Sequence, residues 1–91
     1  MRFEWDEAKN QLNIEKHKLS FNDAKQIFEQ PLVINEDTRF TYQEKRYIGY
    51  GKIDGRLMCV VYTERHLNKI RIISFRKANN REKEYYKECT Q

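Results

Sequence analysis

Proline occurs once, glycine three times and cysteine twice in this chain of 91 residues. Two cysteines, Cys59 in an apolar run and Cys89 near the end, form no CxxC pair and give no disulfide framework, so a reducing cytoplasm is the expected setting. The longest apolar run, Leu57 to Tyr62, is far too short to span a bilayer. The first residues carry charge where a signal peptide would be apolar, so no membrane partner is expected. With two histidines and no HExxH, no metal site is expected; with no glycine-rich phosphate loop and no GxSxG, any catalysis must run on Arg, Lys, His, Glu and Tyr alone, and no cofactor is expected.

The chain is rich in charge and aromatic rings. Charged residues make up 35 % of it, and five Phe, six Tyr and a Trp supply large apolar surfaces. That mixture predicts one small globular domain, residues 1–91, with a modest core under a crowded polar exterior. Lys and Arg outnumber Asp and Glu by 18 to 14. A net charge of +4 matters only where it is gathered on one surface.

Periodicity predicts α+β: two N-terminal helices, a four-stranded antiparallel sheet and a C-terminal helix. After a short extended start at Phe3 to Trp5, Asp6 is an N-cap, and a helix runs to Lys18 with Trp5, Ala8, Leu12 and Leu19 on one stripe. Lys9, Asn13, Lys16 and His17 border that stripe. Ser20 caps a second helix whose apolar face is Phe21, Ala24, Ile27 and Phe28, ended by Pro31. Strands follow at "PLVINED" and "KRYIGYGKI", with residues 37–44 as a loop between them. Asp54-Gly55 makes a hairpin turn into a strand at Arg56–Thr63, and a polar turn over Glu64–Lys69 leads to the last strand, Ile70–Lys77. Residues 79–89 close the chain as a helix capped by Asn79. A symmetric last hairpin sets Ile70 beside Thr63 and Arg76 beside Leu57. One face then holds Arg46, Ile48, Tyr50, Lys52, Leu57, Cys59, Val61, Thr63, Ile70, Ile72, Ser74 and Arg76.

Cations crown both ends of that sheet. Arg65, Arg71, Arg76 and Lys77 lie on the last hairpin, with Arg46 and Lys52 on the strand before it. Rim cations also solubilise a small sheet and deter edge pairing. Arginine, however, binds phosphate through a planar fork that mere solubility does not need. Tyr62 and its neighbours Tyr47, Tyr50 and Phe75 offer rings for stacking or for a core. His17 is either a helix-end cap or a base, and His66 is a solvated turn residue. Metal-free RNA cleavage by the RNA's own 2′-hydroxyl needs a base, cations at the phosphorane and an acid. Arg65 and Arg76 are the candidates for the cations, and His17, Glu64 or Tyr62 for proton transfer. Lys9, Lys16, Arg46, Lys52, Tyr62, Arg71 and Lys77 are candidates to hold RNA. Arg65 and Arg76 stand about 20 Å apart along the strand, so they serve different phosphates. A non-catalytic basic module that docks nucleic acid or an acidic partner is the alternative reading.

Two segments carry a resemblance. "FEWDEAKNQLNIEKHKLSFNDAKQIF" at Phe3 to Phe28, followed by "VVYTERHLNKIRIISFRKA" at Val60 to Ala78, resembles the BrnT toxins of bacterial BrnT–BrnA toxin–antitoxin modules. The family's "WD..K...N..KH" falls on Trp5, Asp6, Lys9, Asn13, Lys16 and His17. Its "TER....IRIIS.R" falls on Thr63, Glu64, Arg65, Ile70 to Ser74 and Arg76. The resemblance implies a RelE-like fold, RNA cleavage that arrests translation, and a BrnA-type antitoxin whose DNA-binding domain carries the complex to operator DNA. The chain departs from the family at Lys18, where glycine is frequent, and at Phe75, where alanine is.

Overall fold

The computed structural model describes residues 1–91. Chain order is β1 (Arg2–Trp5), α1 (Glu7–His17), α2 (Phe21–Ala24) continued by a 3₁₀ turn (Lys25–Glu29), β2 (Val33–Glu36), β3 (Tyr47–Ile53), β4 (Arg56–Arg65), β5 (Lys69–Lys77) and α3 (Asn80–Cys89). The sheet has five strands in the order β1-β5-β4-β3-β2. The expected four-stranded antiparallel sheet is therefore corrected to a mixed one. The extended N-terminal start is itself a strand, lying parallel to β5 with Arg2 against Lys69 and Trp5 against Ile72.

Alternation sorts the sheet into two faces. On one, Met58, Val60, Tyr62, Ile70, Ile72 and Phe75 meet Phe21, Ala24 and Ile27 from α2 and the 3₁₀ turn, and Phe3, Trp5 and Leu19 pack around them. This is the main core. Gly51 lets that layer close in, because a Cβ there would stand 2.7 Å from Leu32 and 2.9 Å from Ile27. On the other face Tyr50, Leu57, Cys59 and Ala78 are covered by Tyr86 of α3.

Asp54 and Gly55 both take positive φ, as their turn type requires. Lys52 accordingly faces Leu57, and Ile48 faces Val61. The next hairpin breaks symmetry. Leu67 and Asn68 are left-handed in a tight turn, so the strands pair up to Arg65–Lys69. A bulge then intervenes: Val61 pairs with Ser74 and Tyr62 with Ile72, leaving Ile73 without a partner across the ladder. Ile70 faces Glu64 and Arg76 faces Cys59, which corrects the expected register. The extra residue turns Ile70 and Ile72 into the main core while Ser74 and Arg76 keep the opposite face.

Helix α1 also departs from its apolar stripe. Leu12 is 63 % exposed, and the residues α1 buries are Asn10 and Asn13. The cause is the β5 edge beyond Ile72, where β1 has ended and backbone groups lack a partner strand. The Asn13 amide supplies one: Phe75 N–H donates to Oδ1 at 3.2 Å, and Nδ2 donates to the Phe75 carbonyl at 2.8 Å and the Leu19 carbonyl at 2.9 Å. Asn10 Oδ1 accepts from Phe21 N–H at 2.8 Å, tying α2 to the same helix.

Lys18 follows α1 at φ 60, ψ 30, a left-handed position that suits glycine. Lys18→Gly should therefore stabilise the fold by about 0.5–1 kcal/mol, since a Cβ in that region costs about 1–2 kcal/mol against glycine's looser unfolded chain. The checking measurement is thermal unfolding, with a rise of several degrees.

Candidate active site

Three strands and two helices meet at Arg76. Tyr50, Cys59 and Arg76 face one another in a row across β3, β4 and β5. Glu82, in the first turn of α3, lies over that row. Its carboxylate accepts from Arg76 Nη1 at 2.8 Å and Nη2 at 2.9 Å, from the Tyr50 hydroxyl at 3.1 Å and from Asn79 N–H at 2.8 Å. Asn79 Oδ1 accepts from Glu82 N–H in return, completing a capping box. One carboxylate thus starts α3 and holds the guanidinium.

This enclosure shifts every titrating member. The Arg76 fork holds the Glu82 carboxyl below the usual carboxylate range, and the Glu82 hydrogen bonds raise the pKa of Arg76 in turn. Burial pushes the Cys59 thiol up to about 11 and raises the Tyr50 hydroxyl as well. Neither ionises near neutrality. The site is therefore a fixed positive charge with neutral surroundings and one paired anion.

Arg76 is not fully used. A guanidinium has five N–H donors; Glu82 takes two, and Nη1 also donates to the Lys77 carbonyl at 3.2 Å. The side edge formed by Nε and Nη2 remains, and about a third of the side chain is exposed.

Asn13, bonded to the backbone of Phe75 next to Arg76, carries the last turn of α1 with Lys16 and His17 to this end of β5. His17 is half-buried, and its pKa is lowered from 6.5 by burial first, then by the charges of Lys16 and Arg76. A histidine that stays neutral beside a guanidinium is suited to accept a proton next to a bound phosphate.

The other sequence candidates are dispersed. Arg65 lies six residues along β4 from Cys59, the partner of Arg76, a span of about 20 Å. Its guanidinium makes a long ion pair with Glu44 at 3.6 Å. Glu64 is exposed and, one residue before Arg65 on the strand, points to the opposite face. His17 and Glu64 therefore do not converge on one phosphate. Arg71 pairs with Glu4 at 2.6 Å, and Lys69 joins the same carboxylate at 3.4 Å. Arg46 stacks on Tyr42, 4.2 Å from its ring centre, beside a loop organised by buried Asp37 and its ion pair with Arg39. Tyr62 is 4 % exposed between Phe28 and Tyr47, and burial lifts its hydroxyl to about 12, so it presents no ring face to a base. Lys9 is exposed on α1, and Lys52 and Lys77 are exposed near α3. No three His, Cys, Asp or Glu side chains gather to hold a metal ion.

Glu82 is not among the sequence candidates, and Tyr50 reads there only as a ring for stacking or for the core, not as a donor to Glu82. The pattern Asn79-x-x-Glu82 is a readable capping box, which flags Glu82 as a helix start. Its grip on Arg76 is tertiary, and no local pattern announces it.

Comparisons with known proteins bear on the chain as a whole. Residues 5–82 match a family model described as the ribonuclease toxin BrnT of type II toxin–antitoxin systems. The crystal structure of the Brucella abortus ribonuclease toxin BrnT is similar, with a TM-score of 0.65 and 26 % identity over 88 % of this chain and 99 % of that one. No curated protein matches.

Proposed function

Because this chain belongs to the BrnT family of ribonuclease toxins of type II toxin–antitoxin systems, we propose that it is a metal-independent endoribonuclease with its reactive centre at Arg76 and His17. Neutral His17 takes the proton from a 2′-hydroxyl, and the freed oxygen attacks the adjacent phosphorus. The side edge of Arg76 holds the non-bridging oxygens as charge builds on the phosphorane. The bond to the 5′-oxygen breaks, water protonates that oxygen, and the upstream strand keeps a 2′,3′-cyclic phosphate. Glu82 and Tyr50 fix the guanidinium without consuming the edge it presents. The single observation that carries this reading is the Arg76 guanidinium, gripped by Glu82 yet keeping a free donor edge, at the end of β5 to which Asn13 ties the helix that ends in His17.

A type II system implies a protein antitoxin. We assign a BrnA-type antitoxin, with operator DNA reached through its DNA-binding domain, and cleavage that arrests translation in the cytoplasm. No helix of the structure is long and apolar enough to cross a membrane.

Purified, antitoxin-free protein should cleave RNA in EDTA and leave cyclic or 3′-phosphate ends. The acid limb of kcat/KM should fall below pH 6.5, because the neutral form of His17 persists to lower pH when its pKa is depressed. Intact RNA after incubation with folded protein would sink the proposal. Two observations favour the alternative of a non-catalytic basic module: Glu64 lies toward the other end of the β4–β5 ladder from Arg76, and the carboxylate nearest Arg76 is already paired. That module would bind RNA in a salt-dependent way and leave it uncut.

A further inference from the structure

The positive excess of the chain is concentrated. Next to Arg76, between the β3–β4 turn and α3, lies a groove of about 710 Å³ lined by Lys52, Arg56, Lys77, Lys83 and Lys87, with Glu84 the only acid. Five cations against one carboxylate leave +4 there, equal to the net charge of the whole chain, so the remaining surface is balanced. Arg39, Arg65, Lys69, Arg71 and Arg76 are each paired with a carboxylate, and none of the groove cations is. All five are exposed. No carboxylate of the chain pairs with them, so an anion from outside is favoured there.

The walls narrow the chemistry of that anion. Tyr86 lines the groove with the Lys52 ammonium 5.9 Å from its ring centre, and Leu57 and Ala78 are the other apolar residues there. A protein interface centres on buried apolar and aromatic anchors. A phosphate backbone needs spaced point charges and no apolar anchor. The groove also begins at the residue after Arg76, whose Nη1 donates to the Lys77 carbonyl.

We infer that this groove is a second binding stretch for single-stranded RNA, carrying the phosphates that follow those at Arg76 along the backbone. The inference rests on the ribonuclease reading of Arg76. The groove supplies affinity and fixes which way the strand runs, while the chemistry stays at Arg76 and His17.

The test measures binding of a 2′-O-methyl oligonucleotide, which lacks the attacking hydroxyl, to the wild-type chain and to Arg56→Ala/Lys83→Ala/Lys87→Ala. A control, Arg2→Ala/Lys18→Asn/Lys45→Ala, removes the same charge elsewhere, and thermal unfolding confirms that both variants fold. The groove variant should lose about tenfold or more in affinity, and its log K against log salt slope should flatten by about 2, three contacts at about 0.7 each on a single strand. The control should lose much less. Unchanged affinity and slope in the groove variant, or equal losses in the control, overturn the groove. Loss of antitoxin binding with RNA binding intact also overturns it, by making the groove a protein site. Failure of the wild-type chain to cut ordinary RNA would instead strike the ribonuclease reading, and the oligonucleotide measurement distinguishes the two.

Discussion

Arg76→Ala should lower RNA cleavage by about 10²–10³-fold, the usual cost of removing one preorganised donor from a developing oxyanion. Arg65→Ala should change it by less than about fivefold, in keeping with an exposed pair worth at most about 1 kcal/mol. The contrast follows from their settings. Arg76 is held by a two-pronged ion pair whose carboxylate is itself anchored by Tyr50 and Asn79. Its fork is therefore rigid before RNA arrives, and little reorganisation is left for the transition state. Arg65 is an exposed cation on a single long ion pair. Arg76→Lys sharpens the comparison: it keeps the charge but has no second prong to hold Glu82 while presenting an edge to phosphate. Its activity should lie nearer to alanine than to arginine. Single-turnover cleavage of a defined RNA, with circular dichroism to confirm folding, measures all three. Equal activity in Arg76→Ala and wild type would move the reaction elsewhere on the hairpin.

Asn13→Ala should be the most damaging small substitution for stability, at about 3 kcal/mol or more. It removes three hydrogen bonds at about 1 kcal/mol each and leaves the buried backbone groups of Phe75 and the partly buried carbonyl of Leu19 unpaired. For a domain of this size that loss corresponds to a fall of about 15 °C in Tm. Asn13→Asp should give no rescue, because a carboxylate can accept from Phe75 N–H but cannot donate to either carbonyl. The second consequence is positional. His17 lies one turn of α1 beyond Asn13, so freeing that turn lets water reach the imidazole and moves it away from the charge of Arg76. At a temperature where the variant is still folded, the acid limb of its activity should shift back toward 6.5 as kcat falls. Denaturant unfolding and the pH profile of the same sample check both parts. A loss of stability with an unshifted limb would confine Asn13 to a structural role.

These two residues also show what a sequence can disclose. The Asp54-Gly55 turn, the capped helices at Asp6, Ser20 and Asn79, and the face shared by Tyr50, Cys59 and Arg76 are local or alternating patterns, readable because each follows from backbone geometry. Strand β1 is four residues long, too short to show a period, and its partner lies far down the chain. The bulge at Ile73 arises from fitting an asymmetric turn to a buried face, so alternation counted from that turn misplaced Ile70 and Ile72. Asn13 reads as a polar border residue until the bare edge of β5 is known. Phe75, the departure beside Arg76, is wholly buried and points into the main core, away from the guanidinium's face.

The parallel pairing of β1 bears on how the chain comes to be finished. Glu4 and Arg71, which meet across that pair, are separated by 67 residues. Contacts between such distant segments are late and slow, because the loop between them must be closed before they yield any gain. During synthesis β1 has no sheet partner until β5, the last of the five strands, has emerged, and Glu82 follows later still. An unfinished chain therefore holds neither an edge-sealed β5 nor an anchored Arg76.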